Sequence, residues 1–240
     1  HLLWEQDQWL EKWVKNKEDL LKEIAMWENA WYPFDESLVP NFKFEVGQIS
    51  MESTIDSDIE VTVNFANSYQ NPVIIPYVET RNGGQSIDAR VKDITSTSCV
   101  IFEEEPDNEG HADEFVSYIV IEEGAWTFPD GLKIECGSTI IDDNHITGEA
   151  YNSETRILFT QAFDSTPAVL HSLNSYNNTA FKATSVYDIN TVGFYITQET
   201  AGSGTSTTEE KVGWIAVDSN ELGTIDGILY ETGSEASTGG

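Results

Sequence analysis

Much of this chain is written twice, and that duplication constrains its fold more than any other feature. FANSYQNPVII from residue 65 aligns with FTQAFDSTPAVL from 159, and DITSTSCVIFEEE from 93 aligns with DINTVGFYITQET from 188. EFVSYIVIEEGAWTFPDGLKIECG from 114 aligns with EKVGWIAVDSNELGTIDGILYETG from 210. The later blocks keep an offset of 95 or 96 residues, so Tyr118 answers Trp214, Asp130-Gly131 answers Asp226-Gly227 and Gly137 answers Gly233. One offset held over so many blocks marks a duplicated structural unit. A fold that suits one copy has to suit both.

Within a copy the pattern is β. DIEVTVNFA places Ile59, Val61, Val63 and Phe65 on one face and Glu60, Thr62 and Asn64 on the other, the alternation of a half-buried antiparallel strand. Apolar runs separated by Asn, Asp, Gly and Ser turns continue from residue 43 onward. Residues 2–32 are different in kind: they hold five of the seven tryptophans and neither Gly nor Pro. Leu10, Trp13, Lys17, Leu20, Ile24, Trp27 and Trp31 alternate spacings of three and four, which is a heptad seam. Trp9, Val14 and Leu21 widen the stripe and predict a bundle of three or more chains, with Lys17 fixing register. The alternative is one amphipathic helix lying on the chain's own β-domain. The expected architecture is therefore mainly β: a coiled-coil-like oligomerisation helix over 1–32, a linker over 33–42 closed by Pro33 and Pro40, and two tandem antiparallel β-sandwiches over 43–136 and 137–240.

Charge narrows the partners. The chain has 42 acidic against 12 basic residues, a net charge of −30, so it repels phosphate backbones and anionic lipid surfaces. Such repulsion is screened over a few ångströms at high salt, which predicts a marine or hypersaline source. No apolar run approaches the roughly 18 residues of a membrane span. There is no secretory leader pattern, and a start at His1 rather than Met predicts a processed chain or part of a longer one. Cys99 and Cys136 allow one disulfide or two small buried thiols, and no Cys/His spacing suits zinc.

The densest polar cluster is EEEPDNEGHADEFVSYIVIEEG, residues 103–124, where Asp107, Glu109, His111 and Asp113 are candidate metal ligands. The second copy supplies a control. There Glu199 answers Glu104 and Glu210 answers Glu114, but Thr207 stands for His111, and Asp107 and Glu109 have no counterpart. What repeats is a strand-turn-strand frame, read here as a hairpin, and not a ligand set. No GxSxG, HExxH, P-loop or GxGxxG is present. Among 42 carboxylates some pair always falls at a glycosidase-like distance, so acid abundance says nothing of catalysis. His145 and His171 stand alone. Neither an enzyme nor a cofactor is expected.

Phe65, Tyr69, Pro72, Arg90, Val91, Ile94, His111, Glu114, Tyr118, Ile121, Glu122, Gly124 and Asp130-Gly131 form a pattern. Phe159, Phe163, Pro167, Ile189, Phe194, Glu210, Trp214, Ile215 and Gly227 answer it in the second copy. The pattern resembles the H-type lectin domain, and especially its repeated relatives in tail-fibre and cell-surface proteins of phages, haloarchaea and their viruses. The chain departs from that family at Cys99, where an aromatic is expected, and in the missing second histidine. The resemblance implies compact six- or seven-stranded antiparallel sandwiches, frequently trimeric, that bind sugars in grooves near protomer interfaces.

A sugar site needs an aromatic platform and planar polar groups, and the loop candidates are Tyr77, Arg81, Asn82 and His111, with Tyr176, Asn177 and Asn178 in the second copy. Asn82-Gly83-Gly84 also reads as plain turn chemistry. Asn177-Asn178-Thr179 is in addition an N-glycosylation sequon. The expected function is a tail-fibre or receptor-binding protein: a homotrimer on a virion surface, or extracellular, contacting a host glycan and other fibre subunits. The alternatives are a structural spacer or decoration subunit of a virion or surface filament, or a secreted lectin or adhesin.

Overall fold

The structure, a computed structural model, describes residues 42–52, 60–84, 86–106, 112–146, 155–200, 208–219, 222–225 and 228–233. The expected helix over 1–32, with its seam residues Leu10 to Trp31, lies outside them, as do residues 33–41 and Asp107, Glu109 and His111. The described chain is mainly β.

The first unit contains β1 (Phe44–Met51), β2 (Glu60–Asn64), β3 (Pro72–Val78), β4 (Asp88–Lys92), β5 (Ser98–Glu104) and β6 (Glu114–Glu122). They form two three-stranded antiparallel sheets, A in the order β1-β6-β3 and B in the order β2-β5-β4. Between the sheets lie Met51, Val63, Phe65, Tyr69, Ile74, Val91, Cys99, Ile101, Val116 and Val120. Val61 and Val63 face this core and Phe65 is buried just beyond β2, as the alternation of DIEVTVNFA requires.

The second unit repeats the plan. Its strands are β8 (Lys133–Ile141), β10 (Thr155–Leu158), β11 (Ala168–Leu173), β12 (Ala183–Asn190), β13 (Gly193–Thr200) and β14 (Glu210–Val217). Sheet C runs β11-β14-β8 and gains β7 (Gly124–Thr127) at its edge; sheet D runs β10-β13-β12 and gains β9 (Asn144–Ile146), which pairs parallel with β13. Ile141, Phe163, Leu173, Phe194, Ile196, Val212, Trp214 and Ala216 fill the core between C and D. A separate hairpin joins β15 (Leu222–Ile225) to β16 (Ile228–Glu231).

Register shows how closely the copies correspond. Tyr118 pairs with Gly47, and Trp214 pairs with Gly137. In both cases the aromatic ring lies over the glycine: a Cβ on Gly137 would stand 2.9 Å from the Trp214 ring, and one on Gly47 would collide with Tyr118. The loops after β2 and β10 close with the same bonds, Phe65 N–H to the Thr97 carbonyl and Phe159 N–H to that of Val192. Asp93 and Asp188, which share one place in the repeat, take the only left-handed non-glycine conformations among the described residues, at φ 51° and 49°. Short-side-chained Asp tolerates that region better than most residues. The repeat read from sequence and the sandwich differ in phase: β8 starts at Lys133 and crosses the expected 136/137 boundary as one strand.

The segment expected as a hairpin over 103–124 is corrected. β5 lies in sheet B and β6 in sheet A, so the connection crosses the sandwich. Each is the central strand of its sheet, with both edges already paired, so they cannot pair with each other. The two cysteines are free and buried, Cys99 in the first core and Cys136 between the units. Burial pushes the Cys99 thiol up to about 12 and raises that of Cys136 as well, so neither is a reactive thiolate.

The units are not beads on a string. A third apolar cluster joins the outer face of sheet A, through Val73, Ile75 and Ile121, to that of sheet C, through Ile134, Cys136 and Ile215. Trp126, Phe128 and Leu132 from the β7–β8 hairpin seal it. Phe42, assigned to the linker by sequence, packs edge-on against Trp126 and Phe128 at 5.0 and 4.9 Å between ring centres. The edge strand β3 is also covered: the Asn174 side chain accepts from Ile74 N–H at 3.1 Å and donates to its carbonyl at 2.7 Å. An amide can do both, and so stands in for a neighbouring strand.

Candidate functional site

The loop after the third strand of each unit carries the predicted sugar-binding residues, and a glutamate at the start of the sixth strand holds each loop. Glu114 accepts from Asn82 N–H at 2.6 Å and Gly83 N–H at 3.0 Å, and from the Thr80 hydroxyl. Glu210 accepts from Asn177 N–H at 2.9 Å and Asn178 N–H at 2.7 Å, and from the Ser175 hydroxyl. The amide side chains match too: Asn82 donates to the Asp113 carbonyl at 2.7 Å and Asn177 to that of Glu209 at 2.8 Å. A carboxylate can accept several such bonds, and two backbone donors plus a hydroxyl fix the loop without any ligand. Asn82, Asn177 and Asn178 are thereby occupied in building their loops.

The two loops end in different surroundings. Arg81 and Asn82 are exposed in the first unit. In the second, the loop docks on sheet B, where Arg90 is fully buried. The Arg90 guanidinium donates to both Glu104 oxygens, at 3.0 and 2.8 Å, and reaches Glu210 at 3.3 Å. It also donates to the Ser175 carbonyl at 3.2 Å and to that of Asn178 at 3.4 Å. Tyr176, which answers Arg81, lies 4.8 Å under that guanidinium and edge-on to Phe102 at 4.7 Å. Cation–π and aromatic contacts of this kind add to a pair already desolvated. Tyr176 is therefore a component of the joint between the units.

Burial raises the Glu104 carboxyl, against the hydrogen bonds and charge of Arg90, which lower it. Nearby, Asp88 is pushed up to about 6 by burial, only partly opposed by the Ala89 N–H and by Arg90. Lys182 is buried beside them, its ammonium on Asn144 at 3.0 Å and Gln198 at 2.9 Å, and desolvation lowers its pKa. Together these groups neutralise one another inside the molecule. Such a cluster of perturbed titratable groups is also how catalytic sites look. This one is filled by its own partners: arginine on carboxylates, and a tyrosine against Arg90 and Phe102 of sheet B.

The other predicted residues do not converge. Tyr77 is 70% exposed on the outer face of sheet A, away from the clamp. Asp113 contributes its carbonyl to Asn82, and among the described residues no group of three or more His, Cys, Asp or Glu could hold a metal ion. His171 contacts the Thr184 hydroxyl at 2.6 Å, and burial lowers its pKa to about 4. His145 is buried in β9. Sequence reasoning missed the joint because Arg90 and Glu104 looked like ordinary strand residues. The signal was there in Glu104 and Glu114, whose counterparts Glu199 and Glu210 survive in a loop otherwise rewritten.

A second carboxylate clamp also repeats. Glu45 accepts from Ala66 N–H at 2.9 Å, and Glu135 accepts from Thr160 N–H at 2.8 Å. Many acids in this chain are thus structural acceptors for loop backbone, beyond their contribution to net charge.

Compared with known proteins, the chain matches no protein-family model and no solved structure. It is similar to Halomucin of Haloquadratum walsbyi, 29% identical over 194 residues. That alignment covers 75% of this chain and 2% of Halomucin, so the chain spans a small fraction of the relative it matches.

Proposed function

We propose that this chain is a non-enzymatic architectural segment of an extracellular or cell-surface protein of a halophile, in which two sandwiches are locked into one rigid body. The observation that carries this reading is the buried joint. Arg90 of the first unit, held by Glu104, donates to Glu210 and to the 175–178 loop of the second, with Tyr176 inside the contact. A spacer needs stiffness between its units, and a buried charged joint backed by an apolar cluster provides it. The similarity to Halomucin supports the setting, and a net charge of −30 suits high salt. The sandwiches themselves, each with two three-stranded sheets at its centre, fit the compact fold that the H-type lectin resemblance implies.

Small-angle scattering of the chain in molar salt tests this reading together with a glycan array. One fixed spacing between sandwiches and no saccharide bound are expected. A distribution of inter-unit distances defeats the rigid-spacer reading. A second reading, host attachment through glycans by a virion fibre, is favoured by Arg81, which stands exposed on the clamped loop of the first unit. A saccharide hit lost on Arg81→Ala would establish that reading.

A further inference from the structure

The outer faces of sheets A and C correspond residue by residue and pack on each other through Val73, Ile75 and Ile121 of A, but beyond that contact A is open at positions where C is covered. On sheet C, Cys136 is 3% and Ser172 is 8% exposed, because β3 of the first unit lies against them and against Gly213. A Cβ on Gly213 would come within 2.9 Å of Val73. Register places Val46 where Cys136 stands, Ser117 where Gly213 stands and Tyr77 where Ser172 stands. Val46 is 68% and Tyr77 70% exposed, and Phe44 and Phe115 on the same face are also exposed. Four large apolar side chains on three adjacent strands make a patch continuous with the joint between the units.

A further sandwich is a poor occupant for this face. In the second unit the contact depends on the Gly213 approach and on the Asn174 amide, which both donates and accepts at the β3 edge. In the first unit these positions hold Ser117 and Glu79, and a carboxylate cannot donate to a strand carbonyl. Glu79 is instead bound by Gln48 at 2.6 Å and Ser117 at 2.7 Å on its own sheet.

We infer that residues 2–32 of the same chain cover the open face of sheet A as an amphipathic cap, taking toward the first sandwich the place that the first sandwich takes toward the second. In each case the occupant is the stretch immediately preceding the first strand of the unit covered. The apolar stripe of 2–32 supplies Trp13, Leu20, Ile24 and Trp27 to meet Val46, Tyr77 and Phe115. Residues 33–41 span up to about 30 Å when extended, ample to return to a strand that starts at Phe44. The segment carries four lysines against seven acids, a net charge of −3, so apolar contact and not charge has to hold it on this face. Capping of this kind is how repeat arrays cover a terminal face.

The full chain tests this by light scattering together with tryptophan emission, since five of the seven indoles lie in 2–32. A wild-type mass of one chain, 26.8 kDa, is expected. Tyr77→Asp/Phe115→Asp should shift emission to the red at unchanged mass, and Leu20→Asp/Ile24→Asp should do the same. The milder Tyr77→Ser/Phe115→Ser pair, checked for unaltered β circular dichroism, guards against unfolding of the sheet. A wild-type mass of several chains that Leu20→Asp/Ile24→Asp disperses would overturn the inference in favour of a bundle between chains. Unshifted emission in both face variants would overturn it too.

Discussion

The loop over residues 80–83 and the loop over 175–178 are the same piece of structure put to different uses. Glu114 and Glu210 grip them with the same three donors, two backbone N–H groups and a hydroxyl. One loop ends at an exposed Arg81, while the other drives Tyr176 between Arg90 and Phe102. The difference originates in the surface each loop meets. Arg90, Phe102 and Glu104 receive the second loop, whereas Ser185, Thr197 and Glu199 hold their places in the second unit. A duplicated scaffold can therefore keep its internal clamps and still make its joint in one direction, by changing a few residues on a receiving sheet.

Removing Arg90 should separate the two units most sharply. Arg90→Met leaves Glu104 and Glu210 buried without their cation, and should lower stability by about 3–5 kcal/mol in urea denaturation. Ser185→Ala, at the matching position, should cost about 1 kcal/mol. Equal losses at the two sites would remove the distinction between them.

The clamps come next. Glu114→Ala strips two N–H groups and a hydroxyl of their acceptor and should cost about 2 kcal/mol. Glu210→Ala should cost more, because Arg90 loses a partner as well, and a double-mutant cycle with Arg90→Met should show coupling for Glu210 and none for Glu114. Smaller still is the strand-edge cap: Asn174→Leu should cost about 1–2 kcal/mol by stranding Ile74, while Glu79→Leu at the equivalent, exposed position should be close to neutral. Thermal melts read both.

The finest difference is in pH dependence. His171, half-buried in the second unit, has a folded pKa of about 4, below the usual 6.5. Its contribution is complete above pH 6.5 and is lost as pH falls toward 4, because the unfolded chain takes the proton first. Asp88 in the first unit has the opposite sign: its folded pKa of about 6 exceeds the usual 3.8, so stability drains away as pH rises from 4 to 6. Asp88→Asn should therefore stabilise the protein at pH 7, and NMR titration should place the His171 midpoint near 4. A midpoint near 6.5 would mean the ring is solvated.

Much of the skeleton could be read from the sequence because it rests on local pattern. The alternation through Val61 and Val63 and the aromatics Tyr118 and Trp214 at matching positions belong to single strands or to the repeat. Contacts that depend on which strands meet could not be read. The run from Glu104 to Glu114 resembled a hairpin because turn residues look alike whether the chain folds back on its neighbour or crosses to the facing sheet. The asparagines read as sugar ligands have the right chemistry, but it is used within their own unit: Asn82 and Asn177 donate to backbone carbonyls, and the Asn178 side-chain oxygen accepts from Ala180 N–H. Arg90 gave no sign of its role because its partners Glu104, Ser175 and Glu210 are up to 120 residues away in sequence.

The central claim is that the two sandwiches form one cooperative body through the Arg90 joint and the apolar cluster beneath it. Differential scanning calorimetry of the intact chain tests it most directly. The account predicts one transition with calorimetric and van't Hoff enthalpies that agree, splitting into two when Arg90 is replaced by Met. Two separate transitions in the unmodified chain would contradict it.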